Sequence, residues 1–212
     1  VPLITVYPGE EYGLHSNDSI LELLKNTYLN QQNEGGNDLV FRNLQAARIG
    51  MLDLEKFKRQ VRYSLMPNGT CSDRVIQVHG RYNDMTDYGF MDRMGVWFEN
   101  FALPVVINEC MMQSYNGIIR LFPNWPLDEN ARFQDLRAVG AFLVSSSFSE
   151  GEIEYIRIRS DAGKTLRILI PWDGGAILKI NGKKMTIGDG LQEIGTDPGD
   201  VLSFHPALFN GR

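Results

Sequence analysis

The chain has 212 residues, 43% of them apolar, and a formal net charge of -5. That is enough apolar side chain for a sizeable core, while its cations are too scattered to follow a nucleic-acid backbone. No apolar run reaches the roughly 18 residues that cross a bilayer as a helix, so neither a nucleic-acid partner nor a membrane span is expected.

Helical signals run from Asn17 to about Tyr115. Ser19 with Glu22 forms a capping box ahead of the face Ile20, Leu24 and Tyr28, and Gly35-Gly36 closes that first helix. Asn37 or Asp38 caps a second, with Val40, Leu44, Ala47 and Met51 on one side. On that helix Arg42 is expected to carry its charge outward along an apolar stem. A third helix follows Asp53, with Leu54, Phe57, Val61 and Leu65 on its apolar face and Lys and Arg between them.

In GVWFENFALPVVINECMMQS, Pro104 places a helix start close to itself, because a first-turn proline has no N–H to lose. Val105 to Met112 would then be apolar nearly all round, a helix for the centre of an assembly. Left uncovered, it should make the chain self-associate. Glu99 and Asn100 fall at its entrance. A carboxylate there is stabilised by the helix dipole whether or not it has any chemical role, and both readings stay open.

From Ile118 the apolar period changes to two. Ala141 to Phe148, Glu152 to Ser160 and Thr165 to Ile170 read as strands. Asn181-Gly182 between ILKI and KKMTI marks a hairpin, and Asp197-Pro198-Gly199-Asp200 a second tight turn. The expected class is α+β: a helical region over 1–122 and, after the turn-rich FPNWPLDEN, a small antiparallel β-sandwich over 123–212.

Three blocks in order, ECMMQS (109–114), LFPNWP (121–126) and DLRAVGAFLVS (135–145), resemble the C-terminal part of glycoside hydrolase family 95, whose familiar members are α-L-fucosidases. There the corresponding segments read EMLLQS, LLPALP and GLRARGGFEVD, and VYPGE (6–10) is similar to the segment leading into the last helical hairpins. The resemblance implies the closing hairpins of an (α/α)6 toroid followed by the β-domain, a terminal sugar as substrate, no cofactor or metal, and secretion or a periplasmic location. It also implies that the rest of the barrel, with the general acid, precedes Val1, so that this piece alone is inactive. Val1 is itself neither an initiator Met nor part of a leader pattern, as in a processed chain or one cut from a longer protein.

In the family, the Asp of FQIDGNF helps to activate the attacking water. Aligned on Asn-Phe without a gap, VWFENF puts Phe98 at that position; with one residue deleted, Glu99 takes it. Glu99 is therefore the candidate catalytic residue. Asn100, Trp97, His79 and Asp87 are candidates for substrate binding: amide, aromatic face, titratable ring and loop carboxylate. Each also has a plain structural reading, as solvated charge, packing ring or satisfied histidine. Trp125, between two prolines, reads as a packing residue. Cys71 and Cys110 lie far apart without metal-type spacing and read as buried thiols. With no Gly-x-Ser-x-Gly elbow, phosphate loop or HExxH pair, the rival to a glycosidase is a sugar-binding relative that does not cleave.

Overall fold

The computed structural model describes residues 3–31, 38–64 and 97–207, and for 38–39, 63–64 and 97–101 it gives the backbone. The fold is α+β. By internal contacts the chain divides into two compact units, Val1–Glu109 and Cys110–Arg212.

In the first unit, helix α1 (Asp18–Asn30) starts two residues ahead of the expected capping box. Asn17 is the cap, its Oδ1 accepting the Ile20 N–H at 3.0 Å. Asn is among the strongest N-cap residues, and this earlier start leaves Ile20 and Leu24 on the same face while adding part of a turn. That face packs with Leu3, Val6 and Ile49, and Tyr28 and Met51 lie against the cluster. Helix α2 (Asp38–Arg48) buries Val40, Leu44 and Ala47, as its period requires. Helix α3 (Leu54–Ser64) is capped by Asp53, which accepts the Lys56 N–H at 2.8 Å, and buries Leu54 and Phe57.

Helix α4 (Trp97–Met111) corrects the reading of Pro104. The helix begins seven residues before the proline, which sits in its interior. There Pro104 supplies no N–H to the Asn100 carbonyl, and its ring presses on the same group, at a cost of about 3 kcal/mol. The helix nevertheless continues through it, with Val106 and Cys110 buried on the far side. Nor is α4 enclosed all round: Val106 and Cys110 are buried, but Pro104 and Val105 are exposed. Among the described residues no helix is long and apolar enough to cross a membrane.

Among the described residues the strands of the second unit pair antiparallel, apart from one isolated parallel bridge. Strands β1 (Met112–Gln113) and β2 (Arg120–Leu121) form a short pair. Strands β3 (Ala131–Ala138), β4 (Phe142–Ser149), β5 (Glu152–Ser160), β7 (Ala176–Ile180), β8 (Lys183–Ile187) and β10 (Val201–Pro206) make a six-stranded sheet in the order β3-β4-β5-β10-β7-β8. Strands β6 (Leu166–Ile170) and β9 (Gly190–Ile194) pair separately, and Ile119 beside β2 bridges to Ile168 of β6.

One apolar core joins these layers. Val144, Ile156, Ile158, Leu178, Leu202 and Phe204 from the large sheet meet Leu166, Ile168 and Ile119. Each such side chain contributes about 1.5–3 kcal/mol on burial. The expected hairpin is present: Ile180 pairs with Lys183 across Asn181-Gly182, whose φ values are 48° and 89°. Both lie in the left-handed region that a type I′ turn requires and that Gly enters without strain.

Candidate functional site

The backbone of α4 places Trp97, Glu99 and Asn100 in its first turn. Glu99 is the third residue of the helix, where unpaired backbone N–H groups and the positive end of the dipole favour a carboxylate. His79 and Asp87 lie outside the described residues, as does Cys71.

The described residues bring together a polar cluster that the sequence reading did not single out. Its centre is Arg48, the last residue of α2, with a side chain only 8% exposed. Its Nη2 donates to Glu109 Oε1 at 2.9 Å, and that carboxylate side chain is 13% exposed. Its Nη1 donates to two carbonyls of the VYPGE segment, Val6 at 3.1 Å and Gly9 at 2.9 Å. The guanidinium lies over the Tyr7 ring, 4.9 Å from the centroid, and Gln45 Nε2 donates to the Tyr7 carbonyl at 3.4 Å.

The loop can fold this tightly around one cation because Gly9 has no Cβ. A methyl group there would meet the Ile4 carbonyl oxygen at 2.6 Å. The cluster therefore ties the VYPGE loop, α2 and the last part of α4 within one unit. A fork of planar donors can satisfy a carboxylate and two carbonyls together, which a lysine cannot do.

This occupancy also defines what the cluster can do. Glu109 is held by a buried cation that also donates to two loop carbonyls, so the direction of its carboxylate is committed to structure. Arg42, by contrast, lies partly buried, with Nη1 donating to the Gln31 carbonyl at 3.1 Å and the guanidinium 5.2 Å from the centre of the Tyr28 ring. Arg48 could have been suspected from its position: it follows Val40 and Leu44 at a spacing of four on the buried face.

In the second unit a buried cation stands beside the ECMMQS block. Arg120 of β2 pairs in register with Gln113 of β1, and both are almost fully buried. The guanidinium lies 5.1 Å from the centre of the Tyr115 ring and donates to the Ile118 carbonyl at 3.3 Å. Burial is the main cause of a lowered Arg120 pKa, partly opposed by Tyr115 and reinforced by Arg167. Trp125 packs as expected, its indole N–H donating to the Glu129 carbonyl at 2.8 Å and its ring edge-on to Phe122.

Among the described residues no group of three or more His, Cys, Asp or Glu is placed to hold a metal ion. No protein-family model matches the chain, and none of the curated proteins matches it.

Proposed function

We propose that the chain is the C-terminal part of a glycoside hydrolase resembling the family 95 α-L-fucosidases, removing a terminal sugar from a glycan. On this reading α1 to α4 are closing hairpins of an (α/α)6 toroid and the antiparallel unit is its β-sandwich. The observation that carries the reading is the placement of Glu99 in the first turn of α4, on the helix that leads through Glu109 into the ECMMQS block.

Inversion at a glycosidic carbon needs two carboxyl groups about 6.5–9.5 Å apart, one protonating the leaving oxygen and one taking a proton from water. Glu99 is assigned the second task, with Asn100 and Trp97 orienting the sugar and His79 and Asp87 reaching it from the preceding segment. The general acid comes from an earlier part of the same polypeptide. Carbohydrate is then the partner, and a secreted or periplasmic enzyme the setting.

A second reading has a specific observation behind it. Aligned without a gap, Phe98 stands where the family has its aspartate. A protein of this fold that binds sugar without cleaving it would carry such a change. Replacing Glu99 by Gln in the full-length protein and assaying an aryl α-L-fucoside separates the two. The hydrolase reading expects a loss of about 10²-fold or more in kcat, the ordinary contribution of a proton-transferring side chain. Unchanged turnover removes Glu99 from the mechanism, and an inactive parent that still binds fucose establishes the second reading.

A further inference from the structure

The large sheet of the second unit has an outer face whose charges are unevenly matched. Arg137 and Arg159 share one acid, Asp161, at 3.4 Å and 3.0 Å. Arg132 on β3 and Arg157 on β5 are both exposed, and neither has an acidic or hydrogen-bonding partner among the described residues. They stand on either side of β4, opposite Ser147 and Ser145 respectively, so two interstrand spacings and a two-residue offset put their backbones about 12 Å apart. Between them lies a groove of about 500 Å³, lined also by Gln134, Asp135, Ser145 and Tyr155. That volume is within the roughly 300–1,000 Å³ usual for pockets that hold small ligands.

A bulge in β3 shapes this groove. The register shifts between Phe133 and Leu136, and Asp135 takes a φ of 52°. Ser145 of β4 fixes the distorted loop by accepting the Asp135 N–H at 3.0 Å. Bulges re-aim side chains, and here the result is a carboxylate and an amide set beside two guanidinium groups. Ser145 pairs with Arg157 and Ser147 with Tyr155, so the register puts the cation, the hydroxyls and the aromatic ring in adjacent rows.

We propose that this groove binds a uronic-acid unit of a glycan, its carboxylate held by Arg157 and Arg132, its hydroxyls by Asp135 and Gln134, and its ring face by Tyr155. A simple inorganic anion has no use for Asp135, whose charge opposes it. A neutral sugar has no use for two cations left without acids. A sugar bearing one carboxylate uses both, and a guanidinium takes a carboxylate through two parallel N–H bonds. The site belongs to the second unit alone and does not depend on hydrolysis at Glu99.

The test titrates the 212-residue chain by calorimetry with trigalacturonic acid and with its trimethyl ester, which has the same shape without the charge. The acid is expected to bind at least about ten times more tightly than the ester, and to weaken with added salt as surface ion pairs do. Arg157→Gln should reduce acid binding about ten-fold or more while thermal unfolding is unchanged, and Arg157→Lys should restore part of it. Should Arg157→Gln not fold, Arg132→Gln on β3, across β4, answers the same question. Equal affinity for acid and ester, no binding of the acid at millimolar concentration, or full binding by the folded glutamine variant overturns the proposal.

Discussion

Removing the Arg48 guanidinium should destabilise the helical unit strongly, and the size of the effect follows from what the side chain holds. Arg48→Met keeps an apolar stem of similar length but deletes the charge. Glu109, whose side chain is 13% exposed, then loses its 2.9 Å ion pair with Arg48. Breaking a buried pair in this way costs about 3–5 kcal/mol. Loss of the bonds to the Val6 and Gly9 carbonyls and of the contact over Tyr7 adds to it, although water entering beside the loop recovers part. A total near 4 kcal/mol is a large part of the roughly 5–15 kcal/mol that holds a domain together.

For a unit of this size, about 4 kcal/mol corresponds to a fall of roughly 15 °C in Tm. Circular dichroism at the helical wavelength, with chemical denaturation as a second measure, reads it. The double variant Arg48→Met/Glu109→Leu should recover most of the loss, since no charge is then buried, and the double-mutant cycle should give a coupling of at least about 2 kcal/mol. A single-variant loss under about 1 kcal/mol, or a double variant no better than the sum of the singles, refutes the buried-lock account.

Two further outcomes are expected. Pro104→Ala restores the helical N–H toward the Asn100 carbonyl and removes the ring clash, so the variant should be more stable by up to about 3 kcal/mol in denaturant titration; a destabilised variant would show that the proline is needed where it stands. Asp200 accepts hydrogen bonds from the Asp197 N–H at 2.8 Å and the Asn181 side chain at 2.7 Å, and these bonds, in that order, hold its pKa below the ordinary carboxylate value. Because the folded pKa is the lower one, the stabilisation is present above the ordinary carboxylate pKa and is lost as pH falls through the folded value. Asp200→Asn should therefore show a shallower loss of stability below about pH 4 than the parent, and identical acid slopes would remove these bonds from the account.

What could be read from the sequence was what local periodicity controls. The faces of α1 to α3, the strands β4 to β6 and the Asn181-Gly182 turn all follow from spacing and turn chemistry that a short window contains. The start of α4 did not, because a helix from Trp97 to Met111 accommodates Pro104 in its interior although the local rule charges about 3 kcal/mol for it there. The cap of α1 was misplaced because Asn17 and Ser19 both satisfy a local rule, and only the backbone path of 3–16 chooses between them. Arg48 escaped notice since its partners lie 39 to 61 positions away in the chain. The placement of β10 between β5 and β7, and the bulge at Asp135, are equally non-local.

The same geometry limits which acids on α4 can act. The helix carries two glutamates, Glu99 and Glu109, ten positions apart. A helix rises about 1.5 Å per residue, which separates their backbones by roughly 15 Å along the axis. Carboxyl groups that flank one glycosidic bond and its water stand at most about 9.5 Å apart, so the two side chains would have to lean toward each other along the helix to meet that spacing. Glu109 is in addition pinned by Arg48, so it cannot swing toward Glu99 without breaking the lock that closes the VYPGE loop. The two therefore cannot form the catalytic pair. If Glu99 activates water, its acid partner stands on another helix, and variants of Glu109 should change the stability of the protein while leaving the pH profile of turnover in place.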